Sequence, residues 1–233
     1  MQCVFKRYEE KYLISNKQCI ELLKIIPKYM ELDHFGEYLV QNLYYDTENW
    51  DVISGSIDKP HYKEKLRLRC YNIPNEESLL FLELKKKYKG IVYKRRVPIP
   101  FKELSFHPIQ DLIAEGTSQI SQELDFYIKK NAAVEKIYIG YKRRAFFNEH
   151  NGLRVTFDSG LRFRLGYLDF FNPKEGKIIL PPGKILMEIK TNGGMPLWMA
   201  HTLSENEIFP VAFSKYARCY TGFIFRGKGQ LSA

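Results

Sequence analysis

The chain has 233 residues, 45% of them hydrophobic, enough for one substantial core and one domain over residues 1–233. Lys and Arg outnumber Asp and Glu by 36 to 27, and the formal charge of +9 favours anionic partners without choosing among nucleic acid, phosphorylated metabolites and an acidic membrane surface. Four scattered cysteines without CxxC spacing, a charged N-terminus in place of an apolar signal run, and no apolar stretch near ~18 residues exclude a disulfide framework and a membrane span. The reading is a reduced, soluble, cytoplasmic protein that could still dock on a membrane protein.

Taken in order, residues 4–14 (VFKRYEEKYLI) alternate, with Glu9 and Lys11 beside Arg7 on one face and Tyr8, Glu10 and Tyr12 on the other, which predicts a strand. Ser15 and Gln18 make a capping box for a helix that runs to about Tyr29, where Pro27 distorts or stops it. Residues 38–46 predict a second strand, and Asp46 or Thr47 caps a short helical turn ended by Gly55. In residues 62–71 (YKEKLRLRCY) Lys63, Lys65, Arg67 and Arg69 fall on one face, while Glu64, Leu66, Leu68 and Cys70 fall on the other. Glu83, Lys85 and Lys87 share a face of the next strand, Lys89-Gly90 signals a tight turn, and Lys94 and Arg96 lie on one side of the returning strand, 91–99.

Residues 101–133 predict helices broken at Pro108 and Gly116. Strands follow at 137–147, with Arg143 and Arg144 on opposite faces, at 153–158, with Arg154, Thr156 and Asp158 aligned, and at 185–191, with Glu188 and Lys190 aligned. LRFRLGYLDFF after 158 extends or flanks its strand, GKIILPPGK is a loop that misses the phosphate-loop pattern, and 195–204 predicts a helix. The count is about eight strands, mostly antiparallel, with helices inserted between them.

One face of each strand therefore collects Arg and Lys in mid-strand, with a glutamate two residues before a lysine in three of them: Glu9, Glu83 and Glu188. An open sheet with a solvated charged face is one account. A closed eight-stranded barrel whose lumen is cationic is the other. Arg and Lys are the side chains for polyphosphate recognition, and carboxylates among them suit a divalent metal that bridges phosphate oxygens. The five histidines fit no metal spacing. Aromatic side chains do not interleave with the basic ones as stacking platforms, which argues against nucleic acid.

In order, RYEEKY (7–12), KLRLRCY (65–71), LELKKK (82–87), VYKRR (92–96), YKRRAF (141–146), LRVTFD (153–158), MEIK (187–190) and FSKY (213–216) resemble the triphosphate tunnel metalloenzymes, and within them the VTC (vacuolar transporter chaperone) type of polyphosphate polymerase domain. The resemblance implies an α+β fold, an eight-stranded antiparallel β-barrel tunnel with helices packed outside. It implies transfer of the terminal phosphate of ATP to a growing polyphosphate chain with Mn2+ or Mg2+, and ATP, inorganic polyphosphate and pyrophosphate as ligands. By motif, Lys11, Arg67, Arg69, Lys85, Lys94, Arg143 and Arg154 correspond to phosphate-gripping residues, with Lys87, Arg96 and Lys190 on the same faces. Lys215 corresponds to a contact at the tunnel end, and Glu188 to the metal carboxylate, with Glu9 and Glu83 as further metal candidates. Family members often carry a second lysine three residues before the FSKY lysine, where this chain has Ala212.

Catalysis is expected to rest on Lys11, Arg67, Arg69, Lys85, Arg143 and Arg154 by positioning and charge neutralisation, since an acceptor phosphate oxygen is already anionic. The alternatives are a triphosphatase or adenylate cyclase on the same scaffold, and a non-catalytic polyphosphate- or nucleotide-binding module.

Overall fold

The computed structural model of the chain describes residues 8–58, 60–89 and 91–224. Arg7 and Gly90, assigned above to the first strand and to a hairpin turn, lie outside them. The strands are β1 (Tyr8–Ser15), β2 (Glu31–Asp46), β3 (Tyr62–Tyr71), β4 (Leu79–Tyr88), β5 (Ile91–Pro100), β6 (Val134–Asn148), β7 (Leu153–Arg164), β8 (Lys177–Ile178) and β9 (Lys184–Thr191). The helices are α1 (Asn16–Ile25), α2 (Asp51–Ile57), α3 (Ile109–Ala114), α4 (Gln119–Asn131), α5 (Leu197–Glu205) and α6 (Lys215–Cys219). The hydrogen-bonded strand order is β1-β9-β7-β6-β2-β3-β4-β5, with β8 on β7, so the class is α+β with an antiparallel sheet.

Local chemistry explains most boundaries. The capping box forms: Ser15 Oγ accepts from the Gln18 N–H, and Gln18 Oε1 accepts from the Ser15 N–H. Pro27 then turns α1 into a single 3-10 turn, Ile26–Lys28. Both expected caps are used at α2, since Asp46 accepts from the Val52 and Ile53 N–H groups and Thr47 Oγ1 from that of Asp51. That helix passes through Gly55 to Ile57. Strand β2 starts at Glu31, earlier than its alternation predicts, because Gly36 at φ 62° masks the period. Strand β7 likewise continues past Gly160, at φ 61°, to Arg164.

The chain divides into two compact units. One comprises Met1–Leu39, Tyr141–Leu161 and Ile178–Phe213, the other Val40–Gly140, Arg162–Lys177 and Ser214–Ala233. In the second, Leu66, Leu68, Leu80, Leu82 and Leu84 of β3 and β4 pack with Ile109 and Ile113 of α3 and Leu124, Tyr127 and Ile128 of α4. Full burial of each such leucine contributes about 1.5–3 kcal/mol. Charges on this helix-facing side are paired locally: α4 sends Glu123 to Arg95 at 2.8 Å and to Lys86 at 2.5 Å. Gly140 is required in β6 because an added Cβ would run into the Tyr138 hydroxyl, which folds over it to donate to Gln41 Oε1 at 2.7 Å. In the first unit, Tyr12 and Ile14 of β1, Val155 and Phe157 of β7 and Met187 and Ile189 of β9 pack with Leu22 of α1 and Met199 and Leu203 of α5. In both units the apolar strand side chains named above face helices.

Candidate phosphate site

In the second unit, register builds a cationic face on β3, β4 and β5. Arg67 stands opposite Glu83, and Glu83 opposite Arg96; Lys65 stands opposite Lys85, and Lys85 opposite Lys94; Lys63 stands opposite Lys87. Glu83 is the hub. Its side chain is 1% exposed, with Arg67 at 2.7 Å and Arg69 at 3.7 Å from Oε2, and Lys94 at 2.6 Å and Arg96 at 3.5 Å from Oε1. The carboxyl is held far below the usual range: burial alone would raise it, and the fields of Arg67, Arg69 and Lys94 overcome that. Burial pushes the Lys94 ammonium down to about 8, with Arg67 and Arg69 acting in the same direction and Glu83 against them.

The two arginines of β3 are oriented by β2. Arg67 Nε donates to Glu83 at 2.9 Å and its NH1 to the Tyr44 hydroxyl at 3.1 Å. Arg69 Nε donates to Asn42 Oδ1 at 3.0 Å, and Asn42 in turn donates to the Ile139 carbonyl. Lys85 and Lys87 are exposed on β4. Lys215 opens α6, and the adjoining Ser214 Oγ lies 3.3 Å from Lys65 Nζ.

Aromatic rings stand beside these cations. The Arg96 guanidinium lies 3.4 Å over the Phe81 ring, Arg69 stands opposite Phe81 and beside Tyr71, and Arg67 beside Tyr44. The sequence hides this because the interleaving runs across strands. Phe81 is covered by the Arg96 guanidinium and Tyr44 is stacked on another ring, so neither presents a bare face to a base.

In the first unit, Glu9, Lys11, Glu188 and Lys190 form a closed square of alternating charge on β1 and β9, where Glu9 stands opposite Lys190 and Lys11 opposite Glu188. Its sides are Glu9–Lys11 at 3.0 Å, Lys11–Glu188 at 3.8 Å, Glu188–Lys190 at 2.6 Å and Lys190–Glu9 at 3.7 Å. Arg143 grips Asp158 with Nε at 2.7 Å and NH2 at 2.8 Å. Burial alone would lower its guanidinium, and Asp158, Tyr141 and Glu188 together hold it well above the usual range. Arg154 reaches Asp33 of β2 at 3.2 Å. Arg144, by contrast, lines a shallow pocket beside Glu37.

Among the described residues no group of three or more His, Cys, Asp or Glu side chains is placed to hold a metal ion. The donors do fit a metal completed by substrate. Glu9 and Glu188 share the same two lysines, and Thr156, opposite Glu188, is buried with a hydroxyl that has no hydrogen-bond partner. Mg2+ and Mn2+ accept such oxygen-only sites of one or two carboxylates and take the rest from phosphate and water. Sequence reasoning missed Asp33, Asn42 and Tyr44. The period-two polar side of β2 (Asn42, Tyr44) is a signal for two of them, passed over because it carries no charge.

This antiparallel sheet with helices and its cation-lined strand faces is the triphosphate tunnel fold. Similar solved structures include a candidate adenylyl cyclase from Hippeastrum, described as revealing a dominant triphosphatase activity, with 17% identity, TM-score 0.56 and coverage of 92% of this chain and 95% of that one. Candidate adenylate cyclases from Vibrio parahaemolyticus (11% identity, TM-score 0.52, 93% and 98% covered) and Bacillus halodurans (16%, 0.52, 88% and 92%) are similar as well. No curated protein matches the sequence. The VTC domain model matches residues 6–224, and the chain belongs to that family. Among the described residues no helix is long and apolar enough to cross a membrane.

Proposed function

We propose that this chain is a metal-dependent polyphosphate polymerase of one VTC domain, transferring the γ-phosphate of ATP to the end of a polyphosphate chain. Membership of the VTC family supports a polyphosphate-related enzyme. The observation that carries the reading is the Glu83 hub. One buried carboxylate on β4 gathers four cations from the two strands beside it, β3 and β5, and the exposed Lys85 and Lys87 continue the row along β4. Such a row fits an extended anion with one charge per phosphate. Glu83 is then the counter-ion that packs the cations side by side. Arg67, Arg69, Lys94 and Arg96 take phosphate oxygens at the hub, with Lys215 at the end of the row. In the first unit Lys11, Lys190, Arg143 and Arg154 are the phosphate contacts.

Glu188, with Glu9, would hold Mn2+ or Mg2+, which supplies neutralisation of phosphate oxygens when bound. A terminal phosphate oxygen of the acceptor forms the new bond to the γ-phosphorus, the β–γ bridging bond breaks, and ADP leaves. No side chain needs to remove a proton, and the arginines stabilise charge on the bridging oxygen. Triphosphate hydrolysis is the second reading, favoured by the activity described for the Hippeastrum protein. Incubation with ATP and Mn2+, with products separated by chain length, tests both: long chains and ADP are expected, and free phosphate alone would replace polymerase by hydrolase.

The Lys94 ammonium gives this reading a pH signature. Because Lys94 loses its proton near 8, before an ordinary lysine, tripolyphosphate affinity is expected to fall as pH rises above about 8. Lys94→Arg keeps its charge at all these values and should flatten the fall. Titrations of both proteins across roughly pH 7 to 10 without metal make the comparison. Identical profiles would remove Lys94 from the grip.

A further inference from the structure

We propose that Tyr216 and Tyr44 are positioning residues, through which docking of the C-terminal helix α6 sets the orientation of the Arg67 guanidinium. The inference rests on the phosphate reading of β3 and adds a part that no family motif assigns here. It begins at Asp46, which is fully buried at the end of β2. Its Oδ1 accepts from the Thr47 and Val52 N–H groups at 2.8 and 2.9 Å. Its Oδ2 accepts from the Ile53 N–H at 3.0 Å and from the Tyr216 hydroxyl at 2.6 Å.

Tyr216, 1% exposed, is thereby tied 170 residues back along the chain. Burial, then the Asp46 charge, pushes its hydroxyl far up, so it remains a donor. Its ring stacks on that of Tyr44 at 4.7 Å between centroids and 28° between planes. The Tyr44 hydroxyl takes the Arg67 NH1 donor, while Nε and NH2 of the same guanidinium go to Glu83.

Anchors on two different strands, Glu83 of β4 and Tyr44 of β2, help to fix the plane of the Arg67 guanidinium. The Tyr216 ring backs that of Tyr44, and Tyr216 is placed by the Asp46 bond. Ser214 adds a second tie, from this helix to β3, the strand of Arg67: it caps α6 through the Ala217 N–H and meets Lys65 Nζ at 3.3 Å. Plain core packing accounts for a buried ring, but it does not require a phenol on a buried carboxylate in line with a phenol on a site arginine.

Calorimetric titration of metal-free protein with tripolyphosphate tests the relay. Tyr216→Phe and Tyr44→Phe keep both rings and remove one hydroxyl each. Each is expected to weaken binding about 3- to 10-fold, the range of a single hydrogen bond. In an Arg67→Ala background neither should weaken it further, because all three act on one group. Unchanged affinity in the two phenylalanine variants would overturn the proposal. So would an equal loss with and without Arg67, the outcome of a merely structural role. Should Tyr216→Phe melt too low to titrate, Tyr44→Phe in the two backgrounds decides alone. Wild type that does not bind tripolyphosphate would sink the phosphate reading first, and this inference with it.

Discussion

Arg67→Ala is expected to weaken tripolyphosphate binding about 10- to 150-fold with little change in melting temperature. The factor corresponds to one or two charge-assisted hydrogen bonds to phosphate, about 1.5–3 kcal/mol. The fold should survive, because Glu83 keeps Arg69, Lys94 and Arg96 as counter-charges. Arg69→Ala is a poorer probe of the same grip: that side chain is nearly buried and bonded to Asn42, so its removal disturbs β2 as well. Calorimetry gives the affinity and circular dichroism the fold. Wild-type affinity in Arg67→Ala would move the phosphate away from this face.

The second large effect is on stability. Glu83→Gln keeps shape and removes the buried charge that holds four cations together. Breaking a buried ion pair from one side costs about 3–5 kcal/mol. At about 2–4 °C per kcal/mol for a chain of this size, the melting temperature should fall by roughly 6–20 °C. Tripolyphosphate should restore more of it than in wild type, because the ligand then supplies the missing negative charge.

The pH dependence follows from the same group. Its folded carboxyl is depressed, so its contribution is fully present above the unfolded value near 4.3 and is lost as pH falls below that. Thermal melts of both proteins between about pH 7 and 3 should therefore show a gap that is constant near neutrality and narrows below about pH 4.3, closing fully only below the much lower folded value. A variant that melts within 2 °C of wild type at neutral pH, or a constant gap down to the acid end, would deprive Glu83 of the hub role ("2 °C" being about 1 kcal/mol or less).

How much of this was legible in the chain follows from the range of each interaction. The side-chain period of a strand is a backbone property, so YKEKLRLRCY and LELKKK announce their cationic and apolar faces without any partner in view. The Ser15–Gln18 box and the β4–β5 hairpin are equally local and form as read. The eight ordered motifs sufficed for the family, which the match over residues 6–224 establishes.

Tertiary structure decided which charges meet. That Glu83 serves four cations depends on the registers of β3 and β5 with β4, and a slip of one residue would turn those side chains to the helices. The rings among the cations, the Asp33–Arg154 and Asp158–Arg143 pairs, and the Asp46–Tyr216–Tyr44 line join residues from separate strands or distant parts of the chain. Alternation says only that a side chain points toward one face. Packing and cross-strand pairing choose its neighbour there, and they are set by the whole sheet rather than by any segment of it.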